Sequence, residues 1–172
     1  ANFAPLRLLS LLKHPYCAGG MNPIKFHHFV DQIELAVLRG PRPGDGLPAI
    51  AAALDDAELC HFFEMHVIAN LAALIDCWQV PNPTLATLAD GIADAAERLC
   101  ATVMDSNGAG ADRGAGAIEL WKNADGMAAS DLFRSLAADG RDSAIDAGDM
   151  PQILRELLED INVHPFGTPH PR

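Results

Sequence analysis

The chain has 172 residues, of which 49% are hydrophobic and 20% charged, and its formal net charge is −11. This length suits one domain and allows roughly 70% of the unfolded surface to be buried. The acidic balance argues against a protein that grips nucleic acid along its length, because that affinity rests on Lys and Arg side chains that neutralise phosphates.

Alanine and leucine dominate the sequence, and runs of strand-forming Val, Ile, Thr and Tyr are missing, which predicts an all-α fold. Leucines at helical spacing predict a short amphipathic helix over 4–13. Pro5 suits its first turn, and Pro15 prevents its continuation.

Asn22 and Pro23 are typical of a cap and a first helical residue, and they predict a second helix over about 23–39. The buried face expected for this helix contains Ile24, Phe29, Ile33 and Val37. A loop rich in proline and glycine follows, and Ala-rich residues then predict a short helix over 47–54.

The stretch from Ala57 to Gln79 is expected to be the central helix. It contains no Pro or Gly, and its apolar residues cover most of the helix circumference, which predicts burial by neighbours on several sides. Asp55 or Asp56 is placed to cap it. Four residues interrupt the apolar run: Glu64, His66, Asn70 and Asp76. The run therefore falls short of the roughly 18 uninterrupted apolar residues that a membrane span requires.

Asn82 and Pro83 repeat the cap pattern and predict a helix over 84–104, in which Gly91 costs about 1 kcal/mol relative to Ala. The small residues of 105–116 predict a flexible loop. Further helices are expected over 117–123, 127–138 and 150–160. The buried face expected for the last of these consists of Leu154, Leu157, Leu158 and Ile161.

The final residues, 163–172, contain three prolines and no helical periodicity, which predicts an extended C-terminal tail. Together these elements predict a single helical domain over 1–172. The expected architecture is a compact multi-helix bundle around the buried central helix at about 57–79.

The four cysteines are widely spaced and none forms a CxxC pair, which favours free, buried thiols in a reducing, cytoplasmic environment. They are Cys17, Cys60, Cys77 and Cys100. The opening residues lack the basic start and the cleavage site of a signal peptide. Because they lie inside an apolar periodic run, we expect the chain to be an excerpt of a longer protein.

The candidate ligand motifs are all incomplete. His61 and His66 lie about 140° apart on a helix, whereas two zinc ligands on one helix require i and i+4 spacing. The segment 123–126 resembles part of a calcium loop but lacks its first and twelfth ligands, and the glycine-rich 108–114 lacks the GKS or GKT ending of a phosphate loop. We therefore predict no catalytic, cofactor-binding or metal-ligating residue. Residues of a catalytic triad can be far apart in the sequence and meet only in the fold. An enzyme whose site the residue spacing does not reveal is therefore a further alternative.

Basic residues are concentrated at the start of the chain. The first 42 residues carry five basic and two acidic side chains, and the remainder carries seven basic and 21 acidic ones. Any contact with DNA or with a partner protein is therefore expected at five residues: Lys13, His14, Lys25, Arg39 and Arg42. Trp78 and Trp121 are expected to be packing anchors rather than binding platforms.

Four stretches, taken in order, carry a family resemblance. The first two are LRLLSLLKHPYCAGG (6–20) and AVLRGPRPGDGL (36–47). The others are IELWKNADGMAASDLFRSL (118–136) and HPFGTPHPR (164–172). They resemble the alphaproteobacterial form of AddB, the second subunit of the AddAB helicase–nuclease. Pro169, between Thr168 and His170, departs from the GTHPR pattern of that family.

The resemblance implies a helical unit inserted in the second motor domain of a superfamily-1 helicase-like chain. It implies that the ATP, magnesium and iron–sulfur sites of such a parent lie outside this segment, so it assigns no cofactor to any residue here. The partners it implies are the rest of the AddB chain and an AddA-type subunit, with DNA bound through the complex and no membrane involved.

Two functions are therefore expected from different classes. The first is a non-catalytic helical scaffold domain of an AddB-type helicase/exonuclease subunit in double-strand-break repair and recombination. The alternative is a free-standing helical protein-interaction module unrelated to helicases.

Overall fold

A computed structural model describes residues 3–38, 43–103 and 113–159. These residues form eight helices: α1 (Pro5–Leu12), α2 (Pro23–Leu38), α3 (Leu47–Ala52), α4 (Ala57–Gln79), α5 (Leu85–Cys100), α6 (Arg113–Trp121), α7 (Ala124–Asp139) and α8 (Met150–Glu159). A π-helical stretch, Phe63–Ile68, lies inside α4, and a 3₁₀ turn, Gly140–Asp142, follows α7. The predicted all-α fold is confirmed.

The α2 helix begins where the cap pattern predicts, because Asn22 Oδ1 accepts hydrogen bonds from Ile24 N (3.0 Å) and Lys25 N (3.3 Å). Its buried face differs from the expected one. Ile33 and Val37 are buried, but Ile24 is 81% exposed and Phe26 takes its place in the core. The reason is helical phase: Phe26 packs on Phe62 of α4 at 5.4 Å, and a residue two positions earlier points about 200° away.

The α4 helix begins at a capped end, as expected, with Asp56 Oδ1 accepting from Glu58 N and Leu59 N at 2.9 Å each. It is buried in the core, as predicted, but on its inner side and not on several sides. The buried residues are Leu59, Phe62, Phe63, Val67, Leu71 and Cys77. The other apolar residues are half-buried or exposed, and Met65 is 53% exposed. The described neighbours therefore cover one side of α4 and leave the other side partly open.

Two hydrophobic clusters form the core, and α4 and α5 contribute to both. The larger cluster joins α1, α2 and α3 to the inner side of α4 and to Leu99 of α5. The smaller cluster contains Cys77 of α4, Leu88 and Ala89 of α5, and Met150 of α8. The long α4 helix thus spans both clusters and organises the fold.

The two tryptophans pack between elements, as predicted. The half-buried Trp78 donates its indole Nε1–H to Ala147 O at 3.0 Å, which ties α4 to the segment before α8. Trp121 donates its Nε1–H to Glu97 Oε1 at 3.0 Å and lies 6.1 Å from the ring of Phe133.

The α5 helix differs from its prediction at both ends. Thr84, and not Asn82, caps it, because Thr84 Oγ1 accepts from Thr87 N (3.1 Å) while Asn82 takes a φ of +51° in the preceding turn. The helix ends at Cys100 rather than at 104, because the chain after it pairs with residues 18–21. Gly20 N donates to Ala101 O (2.8 Å) and Val103 N donates to Met21 O (3.3 Å).

The C-terminal helices begin earlier than predicted or bury a different face. The α6 helix starts at Arg113, so the last residues of the expected 105–116 loop are helical, with Gly116 buried against Cys100. In α8, Leu154 and Leu157 are half-buried, but Leu158 is 45% exposed. Leu158 lies on the same side of the helix as Met150 and Leu154, but the smaller cluster ends one turn before it. Ile161, the extended tail and most of the 105–116 loop lie outside the described residues.

Candidate functional site

Lys13, the first residue of the expected basic surface, is paired within the protein. Its ammonium group lies 3.1 Å from Asp31 Oδ1 and also bonds Glu34 Oε2, both on α2. Hydrogen bonding to Glu34, followed by that to Asp31, raises the pKa of Lys13. Lys13 therefore already pairs with two carboxylates of its own chain.

Two of the other predicted contact residues, His14 and Lys25, are exposed. His14 is exposed and its Nδ1 accepts a hydrogen bond from Tyr16 N at 3.3 Å. Lys25 is exposed at the start of α2, nine residues from Glu34, which is about 13 Å along a helix. Arg39 and Arg42 lie outside the described residues. Contact of these residues with DNA or a partner stays a prediction.

His66, which the sequence offers as a ligand candidate, holds two segments of the fold together. Its Nδ1–H donates to Gly19 O at 2.8 Å, and Asn70 Nδ2 donates to the same oxygen at 3.2 Å and to His66 O at 2.8 Å. Gly19 N in turn donates to Leu99 O at 2.8 Å. This junction lies at the π-helical stretch and joins the α1–α2 turn to α4 and α5. Sequence reasoning missed it, although the Gly19–Gly20 pair was its signal.

Two open apolar chambers flank α4 and are the main candidate for function. They have volumes of about 450 and 420 Å³, and Phe3 lines both. The first chamber lies between α3 and α4, and its apolar lining includes Leu47, Pro48, Ile68 and Ile75. The second lies between α1, α4 and the start of α8, and its lining includes Leu8, Leu11, Leu74, Trp78 and Pro151. We call the two chambers together the α4 groove.

The polar groups of the α4 groove are few. Arg7 is the charged side chain that lines it in the described part of the chain, and Gln79 lies at its far end. Arg7 is exposed and makes no ion pair or hydrogen bond with another described residue. Such a surface can hold apolar side chains and one anionic group, but it brings no acid, base and nucleophile together.

A second, polar groove runs between α5 and α7. Its larger chamber has a volume of about 660 Å³ and is lined by Thr84, Thr87, Asp90, Arg134 and Arg141 among others. Arg134 is already paired with Asp131 on its own helix. Asp90 and the two arginines are exposed and of opposite sign. The polar groove therefore selects no single ligand charge.

We compared the chain with known proteins on the basis of both sequence and fold. No protein-family model, no curated protein and no solved structure matches it. Function is therefore inferred from the geometry of the α4 groove, the charge distribution and the resemblance of the four sequence stretches.

The cysteines are free thiols, as predicted, and all are buried except Cys60, which is half-buried. Burial, together with the neighbouring Cys100, raises the pKa of Cys17 to about 12, and burial also raises the pKa of Cys77 and of Cys100. Protonated buried thiols are poor nucleophiles and poor metal ligands. Among the described residues, no group of three or more His, Cys, Asp or Glu side chains could hold a metal ion.

The length and hydropathy of α4 are also those of a membrane-spanning helix. In the described ranges it alone is long and apolar enough to cross a bilayer, with a mean hydropathy of 1.3 over an 18-residue stretch. Core helices of soluble proteins pass the same test, and α4 contributes Phe62, Phe63 and Val67 to the main core. Only 28% of the stretch is buried, however, so the core accounts for part of its apolar surface and leaves the apolar side chains of the α4 groove uncovered.

Proposed function

We propose that this chain is a non-catalytic helical scaffold domain of an AddB-type subunit in double-strand-break repair. In this role it acts by packing against neighbouring domains or against an AddA-type partner. The observation that carries the proposal is the α4 groove, because a partly uncovered apolar side on the central helix is a surface suited to a second protein surface.

The charge distribution supports a scaffold that contacts DNA weakly or not at all by itself. The chain has a net charge of −11, and Lys13, the cation expected to lead a basic patch, is bonded to Asp31 and Glu34. The described residues offer no cluster of unpaired cations at Lys13, and without such a cluster there is little counterion release to drive DNA binding. We therefore assign DNA contact to the parent complex, and we assign ATP, magnesium and iron–sulfur chemistry to parts of that complex other than this segment.

A DNA-binding measurement tests this account. In an electrophoretic shift assay with duplex and single-stranded oligonucleotides near 150 mM salt, we expect a dissociation constant weaker than about 10⁻⁵ M. Tight binding that resists added salt, and that is lost in Lys25→Glu, contradicts a scaffold role.

A free-standing interaction module is the alternative, and the same groove suits it. Two observations separate the alternatives. In the AddB-type reading, the open reading frame continues into a nuclease domain beside an AddA-type gene, and the segment co-purifies with the co-expressed partner subunit. An isolated gene with no helicase neighbour, or no co-purification, supports the free-standing module. Either form is proposed to work in the cytoplasm, which agrees with the free thiols.

A further inference from the structure

We draw no further inference here: the strongest candidate, the two apolar chambers that flank α4 on either side of the Phe3 segment, carries none because nothing in the structure shows what covers them.

Discussion

Gly19 shows how one residue fixes the junction between α1, α4 and α5. Its φ is +55°, and a Cβ built on it lies 2.6 Å from Phe26 Cε2 and 2.9 Å from His66 O. Its carbonyl accepts from both His66 and Asn70. The position therefore demands glycine both for the left-handed backbone and for the close approach of its neighbours.

Replacing Gly19 with alanine is expected to lower the free energy of unfolding by about 3 kcal/mol, because the left-handed strain and the overpacking add together. Gly44→Ala is the control, since a Cβ there meets Ala49 Cβ at an ordinary 3.5 Å. Urea unfolding followed by circular dichroism measures both. Equal stability of the two variants is incompatible with the junction described.

Cys17 makes stability depend on pH. Its pKa is about 12 in the folded protein against 9.0 for a free thiol, mainly because the side chain is buried. Above pH 9 the unfolded chain has lost a proton that the folded chain keeps, so stability falls as pH rises towards about 12. One proton corresponds to about 1.4 kcal/mol per pH unit.

The predicted fall in stability is checked by measuring the free energy of unfolding between about pH 8 and pH 10 for the unchanged protein and for Cys17→Ala. We expect the unchanged protein to lose stability with pH more steeply than the variant. Parallel curves for the two proteins contradict the buried thiol.

At the scale of elements, α4 and α5 pack closely because Gly91 faces Cys77. A Cβ at Gly91 lies 2.5 Å from Cys77 Sγ and 3.4 Å from both Cys77 Cβ and Ala73 O. Sequence propensity treats Gly91 as a defect in the helix, whereas helix packing requires a residue without a side chain at this crossing.

Gly91→Ala is therefore expected to destabilise the protein by about 1–2 kcal/mol, although alanine is the better helix former. In a Cys77→Ala background the Sγ that clashes is absent. Gly91→Ala is therefore expected to lower the free energy of unfolding less in that background than in the unchanged protein. Thermal unfolding of the set measures the coupling. Additive effects show that the two side chains do not meet.

The two sides of α4 differ in what they contribute to stability. Phe63 is fully buried and Met65, two residues later, is 53% exposed. Phe63→Ala is expected to cost about 3–5 kcal/mol and Met65→Ala less than about 0.5 kcal/mol. Denaturant unfolding separates them. A loss below about 1 kcal/mol for Phe63→Ala means that α4 is not the core helix.

For the whole molecule, repulsion among the acidic side chains lowers the stability of the folded state. The net charge is −11, and the ion pairs within the described residues are exposed or half-exposed. Such pairs contribute little, whereas repulsion among many carboxylates acts over the entire surface.

The midpoint of thermal unfolding is therefore expected to rise by a few degrees between about 10 and 300 mM sodium chloride, as salt screens the repulsion. Sodium chloride is compared with an equal concentration of sucrose, which does not screen charge. A midpoint that falls with salt means that attractive ion pairs dominate instead.

Local sequence patterns are enough to predict which segments are helical, although not where each helix ends. Apolar periodicity located the helices, and the local cap chemistry of Asn22 and Asp56 placed two of their starts, because a cap bonds the backbone within three residues of itself. The sequence also determined the charge and the free thiols, which are properties of composition and spacing.

Tertiary packing sets which side of each helix is buried and which bonds the half-buried polar side chains of His66 and Asn70 make. Ile24 is exposed because neighbouring elements set the phase of burial, and Leu158 is exposed because the smaller cluster ends one turn before it. His66 bonds Gly19, 47 residues away in the chain. The open side of α4 followed in the same way. Periodicity records that a helix is apolar, but whether neighbours cover it depends on long-range packing that no local pattern contains.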